Sequence, residues 1–203
     1  MIEVVEDPQG LWMITLNRPE KANALTRDML EQMETAVARA AGARAVLLTG
    51  MGPVFSAGAD LAEARAGLAS DPIWARLSAA IAALPGLTIA CLNGTLAGGA
   101  FGMVLACDLR LAVPDARLFY PVMRLGYLPQ PGDPARLQAL VGPARARMIL
   151  LAGARVEASE ALAWGLVDRL EKPADLLAVA RGLCADALAA APGHGAAIKA
   201  MLR

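Results

Sequence analysis

Residues 87–99 read Leu-Thr-Ile-Ala-Cys-Leu-Asn-Gly-Thr-Leu-Ala-Gly-Gly, an apolar run that leads directly into a glycine-rich turn. The apolar part, Leu87 to Leu92, is typical of a strand that is buried on both faces of a sheet. The turn, Asn93 to Gly99, precedes a segment of small apolar residues with helical character. Because the first N–H groups of a helix lack intrahelical acceptors, this arrangement predicts a place where a ligand approaches the backbone closely.

A second stretch repeats this design earlier in the chain. The run from Arg44 to Thr49 predicts another buried strand, and Phe55-Ser56-Ala57-Gly58-Ala59-Asp60-Leu61 follows it as a second loop of small residues. If the two loops face each other, two N–H groups converge on one carbonyl oxygen and stabilise the negative charge that develops there. Taken singly, each loop is also compatible with an ordinary turn. The turn Asn93 to Gly99 lacks the Lys-Ser/Thr ending of a nucleotide-binding P-loop.

Strands and helices alternate along the rest of the sequence, which indicates an α/β architecture. Thr26 is the expected N-cap of the first long helix. Residues 121–134 form a proline-rich loop, and separate helices are expected near residues 135–141 and 144–151. We predict a core over residues 1–172 and a C-terminal helical segment over residues 173–203, with the helices from Asp175 onward as a possible arm.

Composition and charge narrow the classes of function. The 203 residues are 57% hydrophobic, with 19 basic and 19 acidic side chains, so neither a basic stripe nor an acidic tract suggests nucleic-acid binding. The apolar runs are too short to span a bilayer, and the chain begins with a strand pattern, so we expect a cytoplasmic protein. Three scattered cysteines, Cys91, Cys107 and Cys184, and a lone His194 predict buried, inert thiols and no metal site.

Four motifs occur in a characteristic order: one spans Ile14 to Leu25, one runs from Thr49 to Leu61, one from Asn93 to Asp108, and one lies within Leu151 to Asp168. In this order and spacing the chain resembles the enoyl-CoA hydratase/isomerase (crotonase) superfamily along most of its length. The resemblance implies a spiral of β-β-α units, here with a shortened C-terminal helical region. It also implies a homotrimer or a dimer of trimers.

The resemblance further implies a coenzyme A thioester as substrate or ligand, without a permanently bound cofactor. The N–H groups of Ala59 and Gly99 fall at the positions of the family's oxyanion hole. Lys21, together with Arg18, is expected to supply positive charge for the phosphates. Asp60 is also expected to support its loop. The positions expected to contact substrate are Lys21, Ala22, Leu25, Ala57, Asp60, Leu61, Gly98, Val122 and Gln130.

The acid and base groups of the family are missing from their usual positions. The resemblance places the two hydratase carboxylates at Gly102 and Val122, and the glutamate of some isomerases at Gln130. None of these three side chains ionises, so hydration of an enoyl thioester is not expected. Tyr120 and Asp133 remain as candidate proton-transfer groups. A core position with a satisfied hydroxyl is the more common role of such a tyrosine, and N-capping of the helix that follows is the more common role of such an aspartate.

Two classes of function follow from this pattern. The first is an enzyme that stabilises a thioester enolate or a related anion and carries out isomerisation, decarboxylation or thioester hydrolysis. The alternative is a non-catalytic acyl-CoA-binding or assembly subunit, which the missing carboxylates favour.

Overall fold

The computed structural model describes residues 1–202, so Arg203, the last residue of the predicted C-terminal segment, lies outside the described residues. The strands are β1 (Ile2–Glu6), β2 (Leu11–Leu16), β3 (Ala45–Gly50), β4 (Val54–Ser56), β5 (Leu87–Leu92), β6 (Thr95–Ala97), β7 (Leu109–Ala112), β8 (Arg117–Phe119), β9 (Arg155–Glu157) and β10 (Arg169–Leu170). The helices are α1 (Arg27–Arg39), α2 (Leu61–Arg65), α3 (Ile73–Ala83), α4 (Phe101–Leu105), α5 (Val122–Leu125), α6 (Asp133–Leu150), α7 (Ala158–Trp164), α8 (Leu176–Leu183), α9 (Ala185–Ala189) and α10 (His194–Met201).

These strands form two sheets. The large sheet has the order β1-β2-β3-β5-β7-β10, and the small sheet has the order β4-β6-β8-β9. In the large sheet only the β1–β2 pair is antiparallel, whereas β2, β3, β5, β7 and β10 run parallel. The predicted α/β architecture is therefore confirmed.

Successive β-β-α units share their strands between the two sheets. The pairs β3 and β4, β5 and β6, and β7 and β8 each give their first strand to the large sheet and their second to the small one. The short strands β4 and β6 lie inside stretches that the sequence predicted as loops. Three residues are too few to show a strand periodicity, and the β4–β6 pairing, which joins Val54 to Thr95, is made across the fold. This pairing places the two small-residue loops side by side.

The hydrophobic core lies between the large sheet and the helices. Strand β3 is buried along residues 45–49, and helix α1 packs its apolar face, which includes Met29, Met33 and Val37, into the same core. Each fully buried aliphatic side chain of this size contributes about 1.5–3 kcal/mol. Thr26 caps α1 as predicted, because its hydroxyl oxygen accepts a hydrogen bond from the Met29 N–H at 3.2 Å.

The C-terminal helices are attached to this core. Leu176, Ala180 and Cys184 of the α8 region are buried in the core cluster, and α8 contacts β5 and β7. The core therefore extends beyond residue 172, and α8 does not form a detached arm. Its position follows from the apolar side chains at helical spacing, which need a surface to cover.

Helix α6 is interrupted at Gly142, whose φ of 78° and ψ of 167° are non-helical, so the two helices predicted there are present as two arms of one bent element. Among residues 1–202, no helix combines the length and apolar character that a membrane crossing requires.

Candidate functional site

A cavity of about 500 Å³ opens where the two small-residue loops meet. Its remaining walls come from helices α2, α3 and α5 and from the loop that follows α5. Apolar and small residues dominate the lining, and the predicted site positions within it are Ala22, Ala57, Ala59, Leu61, Gly98, Gly99, Tyr120, Val122 and Gln130. The structure therefore brings together most of the residues that the sequence singled out.

The two loops touch through their glycines. A methyl group added at Gly58, where φ is +89°, would lie 2.9 Å from the carbonyl oxygen of Ala97. No side chain fits between backbones at this distance, so only glycine allows the loops to approach each other so closely. This contact sets Ala59 and Gly99 on the same cavity.

The N–H groups of Ala59 and Gly99 are available to a ligand. Neither donates a hydrogen bond within the turns and loops of residues 1–202. Gly99 lies in the 3-10 turn Gly98–Ala100 that leads into α4, where N–H groups lack intrahelical acceptors. The helix dipole adds a favourable field for negative charge at that end.

Leu25 fixes the direction of the Ala59 amide. It forms an isolated parallel bridge with Ala59, in which the Leu25 N–H donates to Gly58 O and the Asp60 N–H donates to Leu25 O, both at 2.8 Å. In such a bridge the residue between the two bonded groups presents its own N–H to the other side. Leu25 was expected to contact the ligand, but its side chain is fully buried and its backbone holds the loop.

Asn23 joins the loops on the side remote from the cavity, a role that the sequence analysis did not assign. It is fully buried, and its φ of 52° lies in the left-handed region that asparagine tolerates better than most residues. Its Oδ1 accepts from the Arg18 N–H at 2.8 Å, and its Nδ2 donates to Met51 O at 2.9 Å and Val54 O at 2.7 Å. The Ser56 hydroxyl donates to the Asn23 carbonyl oxygen at 2.8 Å. The sequence feature that could have indicated this role is the asparagine that follows Lys21 and Ala22 in the first motif.

Asp60 has the supporting geometry that was expected of it. Its carboxylate accepts from the Arg18 guanidinium at 2.8 Å and from the Ala62 N–H at 3.1 Å, which caps α2. The Arg18 hydrogen bond lowers the pKa of Asp60. Arg18 is largely buried and its charge is paired with Asp60. Of the two basic residues expected near the phosphates, only Lys21 is exposed, on the 3-10 turn Pro19–Lys21. Neither Asp60 nor Lys21 lines the cavity itself.

Trp74 closes the wall opposite the Gly99 amide. Its indole N–H donates to Leu68 O at 2.7 Å, which fixes the ring. A methyl group added at Gly99 would lie 3.2 Å from two ring carbons. Any larger residue at position 99 must therefore displace the indole.

Tyr120 and Asp133 form a buried hydrogen-bonded pair beside the cavity. The Tyr120 hydroxyl donates to Asp133 Oδ2 at 2.9 Å and accepts from the Gln130 N–H at 3.3 Å. The Tyr120 ring stacks on Phe101 with a centroid separation of 5.2 Å. Tyr120 is 3% exposed and Asp133 is 1% exposed, so water screens neither group.

Asp133 does not cap helix α6, contrary to one of the two interpretations of its sequence context. The helix begins at Asp133 itself, the capping position is Gly132, and no side chain satisfies the cap. The carboxylate instead points toward Gly102. A methyl group added at Gly102 would lie 3.0 Å from Asp133 Oδ1 and 2.5 Å from the hydroxyl oxygen of Ser78.

The electrostatic state of this pair follows from its burial. Asp133 Oδ1 accepts no hydrogen bond from any described residue. Loss of hydration raises the pKa of Asp133 to about 6, although the Tyr120 hydrogen bond and the Arg136 charge oppose the rise. Burial and the neighbouring carboxylate raise the pKa of Tyr120. At neutral pH the pair therefore holds a protonated phenol beside a carboxylate that readily takes up a proton.

The remaining candidates occupy supporting positions. Gln130 lines the cavity and donates from Nε2 to Ala69 O at 3.3 Å. Burial raises the pKa of Cys91 and Cys107 to about 12 and that of Cys184 to about 11, which agrees with the inert thiols that were predicted. Within the described chain, no group of three or more potential ligand side chains is placed to hold a metal ion.

Comparisons with known proteins agree with this architecture. The family model described as enoyl-CoA hydratase/isomerase matches residues 6–203. YngF of Bacillus subtilis is 39% identical over 183 residues, which are 85% of this chain and 70% of that protein. The short-chain-enoyl-CoA hydratase of Clostridium acetobutylicum is 31% identical over 202 residues, which are 93% of this chain and 76% of that protein.

Solved structures give the same result. The structure of DspI from Pseudomonas aeruginosa has a TM-score of 0.90 at 31% identity, covering 99% of this chain and 85% of that chain. The enoyl-CoA hydratase from Bacillus anthracis has a TM-score of 0.91 at 29% identity, covering 99% of this chain and 81% of that chain. The predicted crotonase-like fold is thus confirmed.

Proposed function

The chain belongs to the enoyl-CoA hydratase/isomerase family, a family of enzymes, and from this premise we propose that it binds an acyl-CoA thioester and stabilises its enolate or a related anion. The observation that carries the proposal is the pair of available N–H groups, Ala59 and Gly99, on one wall of the cavity. Fixed donors aimed at a developing oxyanion are worth about 3 kcal/mol each in transition-state stabilisation.

The proposed orientation of the ligand follows the distribution of charge and polarity. The phosphates of coenzyme A lie near Lys21, next to Ala22 at the cavity mouth, and the pantetheine chain passes Ala57 and Leu61. The acyl group enters the apolar interior beside Trp74. The proposed assembly is a homotrimer or a dimer of trimers, and native mass spectrometry measures both the oligomer and any co-purified thioester.

The proposed chemistry is isomerisation, decarboxylation or thioester hydrolysis, and not hydration. The positions at which relatives are expected to carry carboxylates hold Gly102, Val122 and Gln130. Among the described residues that line the cavity, none is an aspartate, a glutamate or a histidine. A water molecule in the cavity therefore meets no directly exposed base, which argues against hydration and gives thioester hydrolysis less support than the other two reactions. Isomerisation and decarboxylation form an enolate that the two N–H donors stabilise, and they need a group that takes up or returns a proton and no activated water.

The same lining favours a second candidate, a non-catalytic acyl-CoA-binding subunit. Both candidates require thioester binding, and they differ in turnover. Product analysis with straight-chain, aromatic and acidic acyl-CoAs separates them, since conversion of any one thioester excludes the pure binder.

The proposed function is tested at Gly99 with two variants. Gly99→Pro removes the N–H donor. Gly99→Ala keeps the donor and places a Cβ atom against Trp74, as proline also does. We expect the carbonyl stretch of a ¹³C-labelled butyryl-CoA thioester to shift to lower frequency when it binds the wild type and Gly99→Ala, and to remain unshifted in Gly99→Pro. Turnover of any accepted substrate should be about 100-fold lower in Gly99→Pro than in Gly99→Ala.

Calorimetry and circular dichroism accompany this comparison, because they establish that each variant is folded and binds the thioester. Equal carbonyl shifts in the two folded variants would refute the oxyanion role of Gly99. Absence of coenzyme A thioester binding by the wild type would refute the proposed function as a whole.

A further inference from the structure

The space above Gly102 is filled by a carboxylate from a different part of the chain. A side chain at position 102 would begin 3.0 Å from Asp133 Oδ1 and 3.2 Å from Asp133 Oδ2. A glutamate at position 102 and the carboxylate of Asp133 therefore exclude each other. Because Gly102 lacks a side chain, Asp133 can turn inward from the first turn of α6 and occupy that space.

The buried position of this carboxylate is energetically unfavourable. Its Oδ1 is buried and accepts no hydrogen bond from the described chain, whereas most buried polar atoms in folded proteins are paired. An aspartate at this point of the helix has an easy alternative, since a side chain turned outward reaches solvent or the open N–H groups of the helix. An unpaired buried acid beside a ligand cavity is a feature typical of functional sites.

Tyr120 connects this carboxylate to the cavity. Tyr120 lines the cavity, and its hydroxyl donates to Asp133 Oδ2. A phenol oxygen has two lone pairs, and one of them accepts from the Gln130 N–H. The second lone pair is available to a proton that arrives from the cavity side, while stacking on Phe101 holds the ring in place.

We propose that Tyr120 is the proton-transfer residue of this enzyme and that Asp133 acts through it, as a replacement for the carboxylate absent at Gly102. The inference rests on the proposed thioester site, because the proton is exchanged with a carbon next to the thioester carbonyl. Tyr120 is the catalytic residue in this scheme. Asp133 is a positioning residue that accepts and returns the Tyr120 proton.

In this scheme a 3-enoyl thioester is isomerised to a 2-enoyl thioester by two proton transfers. The Cα–H bond breaks, its proton passes to the Tyr120 oxygen, and the original Tyr120 proton moves to Asp133. The electron pair of the broken bond forms the enolate, whose oxygen is held by the Ala59 and Gly99 N–H groups. Tyr120 then gives a proton to Cγ as the double bond moves to the 2-position, and Asp133 returns its proton to Tyr120.

The experiment uses but-3-enoyl-CoA and butyryl-CoA as probes in deuterated water, with exchange at Cα followed by NMR. Three variants are compared with the wild type: Tyr120→Phe, Asp133→Asn and Asp133→Glu. Asp108→Asn is the matched control, because Asp108 is a partly buried carboxylate that is hydrogen-bonded to Thr88 and Lys199 and lies outside the cavity lining.

We expect Tyr120→Phe and Asp133→Asn each to slow Cα exchange by about 100-fold or more, the usual contribution of a positioned acid or base. Both variants should still bind the thioester and shift its carbonyl stretch. Asp133→Glu should recover part of the rate, and Asp108→Asn should exchange like the wild type.

The pH profile separates proton transfer from a merely structural role. The groups that face Asp133 are Tyr120, Arg136 on its own helix, Ser78 from α3 and Gly102 from α4, and the last two neither titrate nor carry charge. Since Asp133 must be ionised to accept a proton, wild-type exchange should rise with pH up to about 6 and then level off. Asp133→Asn should lack this rising limb.

The outcomes distinguish this inference from the proposed function. Normal carbonyl polarisation together with wild-type exchange in Asp133→Asn or Tyr120→Phe would overturn the inference and leave the oxyanion site intact. Wild-type protein that polarises the carbonyl but exchanges no Cα proton would overturn it as well. If Asp133→Asn fails to fold, the folded Tyr120→Phe variant and the wild-type pH profile decide the question.

Discussion

At the scale of single residues, Asp133 is the one acidic side chain among residues 1–202 that is fully buried. Its carboxylate has one hydrogen-bond donor, Tyr120, and an unpaired Oδ1. The protonated form is therefore favoured relative to the unfolded chain, in which the side chain is hydrated. Such a group reduces stability at neutral pH, which is common for residues that are retained for activity.

This imbalance makes the stability of the protein depend on pH in a defined direction. The pKa of Asp133 rises from 3.8 to about 6 on folding, so the folded state binds more protons than the unfolded state within that interval. The contribution of Asp133 to the free energy of unfolding is therefore fully present below the unfolded pKa, falls by about 3 kcal/mol in total as pH rises through the folded pKa, and is constant well above it.

Asp133→Asn removes this titration while keeping the size of the side chain. We expect the free energy of unfolding of Asp133→Asn, relative to wild type, to increase by about 2 kcal/mol between about pH 4 and about pH 7. Urea denaturation of both proteins across this range measures the difference. Parallel pH dependences of the two proteins would show that Asp133 titrates normally in the folded state.

At the scale of elements, the two small-residue loops are held by a buried polar centre as well as by the strands β4 and β6. The Asn23 side chain forms hydrogen bonds with three separate segments: the turn after β2, the turn after β3 and the beginning of β4. Its carbonyl oxygen accepts from Ser56, whose hydroxyl oxygen in turn accepts from the Gly58 N–H at 3.1 Å. The position of the Ala59 amide therefore depends on a residue that does not reach the cavity.

Asn23→Ala should destabilise the protein by about 2 kcal/mol, because it removes three hydrogen bonds of the buried Asn23 side chain to partly buried backbone groups of Arg18, Met51 and Val54. The left-handed backbone at this position adds a smaller penalty for alanine. In the folded fraction, the thioester carbonyl shift should also weaken, since the Ala59 loop is no longer fixed.

Asn17→Ala is a suitable control for this variant. Asn17 makes one exposed side-chain hydrogen bond, to Glu3, and should change the free energy of unfolding by no more than about 0.5 kcal/mol. Chemical denaturation and calorimetric titration of both variants test the comparison. A loss of stability in Asn23→Ala no larger than that in Asn17→Ala would contradict the proposed role of Asn23.

At the scale of the whole molecule, hydrogen bonds from Arg44 and Lys199 hold the C-terminal helices against the rest of the fold. Arg44, at the start of β3, donates to the carbonyl oxygens of Leu188 and Ala190 at 2.6 and 2.7 Å. Lys199 of α10 donates to Asp108 at 2.7 Å and to Gly86 O at 3.2 Å. The residues that make these contacts do not line the cavity. We therefore expect that the attachment of the C-terminal helices can be weakened without a change in the proposed thioester site.

Lys199→Met should therefore loosen α10 without affecting the site. Hydrogen–deuterium exchange should increase over residues 194–202 and remain unchanged around Ala59 and Gly99, and the free energy of unfolding should fall by about 1–2 kcal/mol. Lys172→Met is the control, since Lys172 is exposed and its side chain makes no such contact. Increased exchange in the cavity loops of Lys199→Met would mean that α10 is coupled to the site.

The sequence by itself determined the order of strands, loops and helices, because buried strands, small-residue turns and helix caps are local patterns. It placed Ala59 and Gly99 on two comparable loops, and those loops do meet at one cavity. The short strands β4 and β6 were not predicted from the sequence, because three residues show no periodicity and the two strands pair only in the folded chain.

Only the tertiary structure decided the partners of the charged and polar groups. Arg18 pairs with Asp60, and Asp133 turns toward Gly102 and not toward the end of its helix. Local sequence allows either direction for the Asp133 side chain. The missing side chain of Gly102, on another helix, leaves the space that the Asp133 carboxylate fills, and that space exists only once α4 packs against α6.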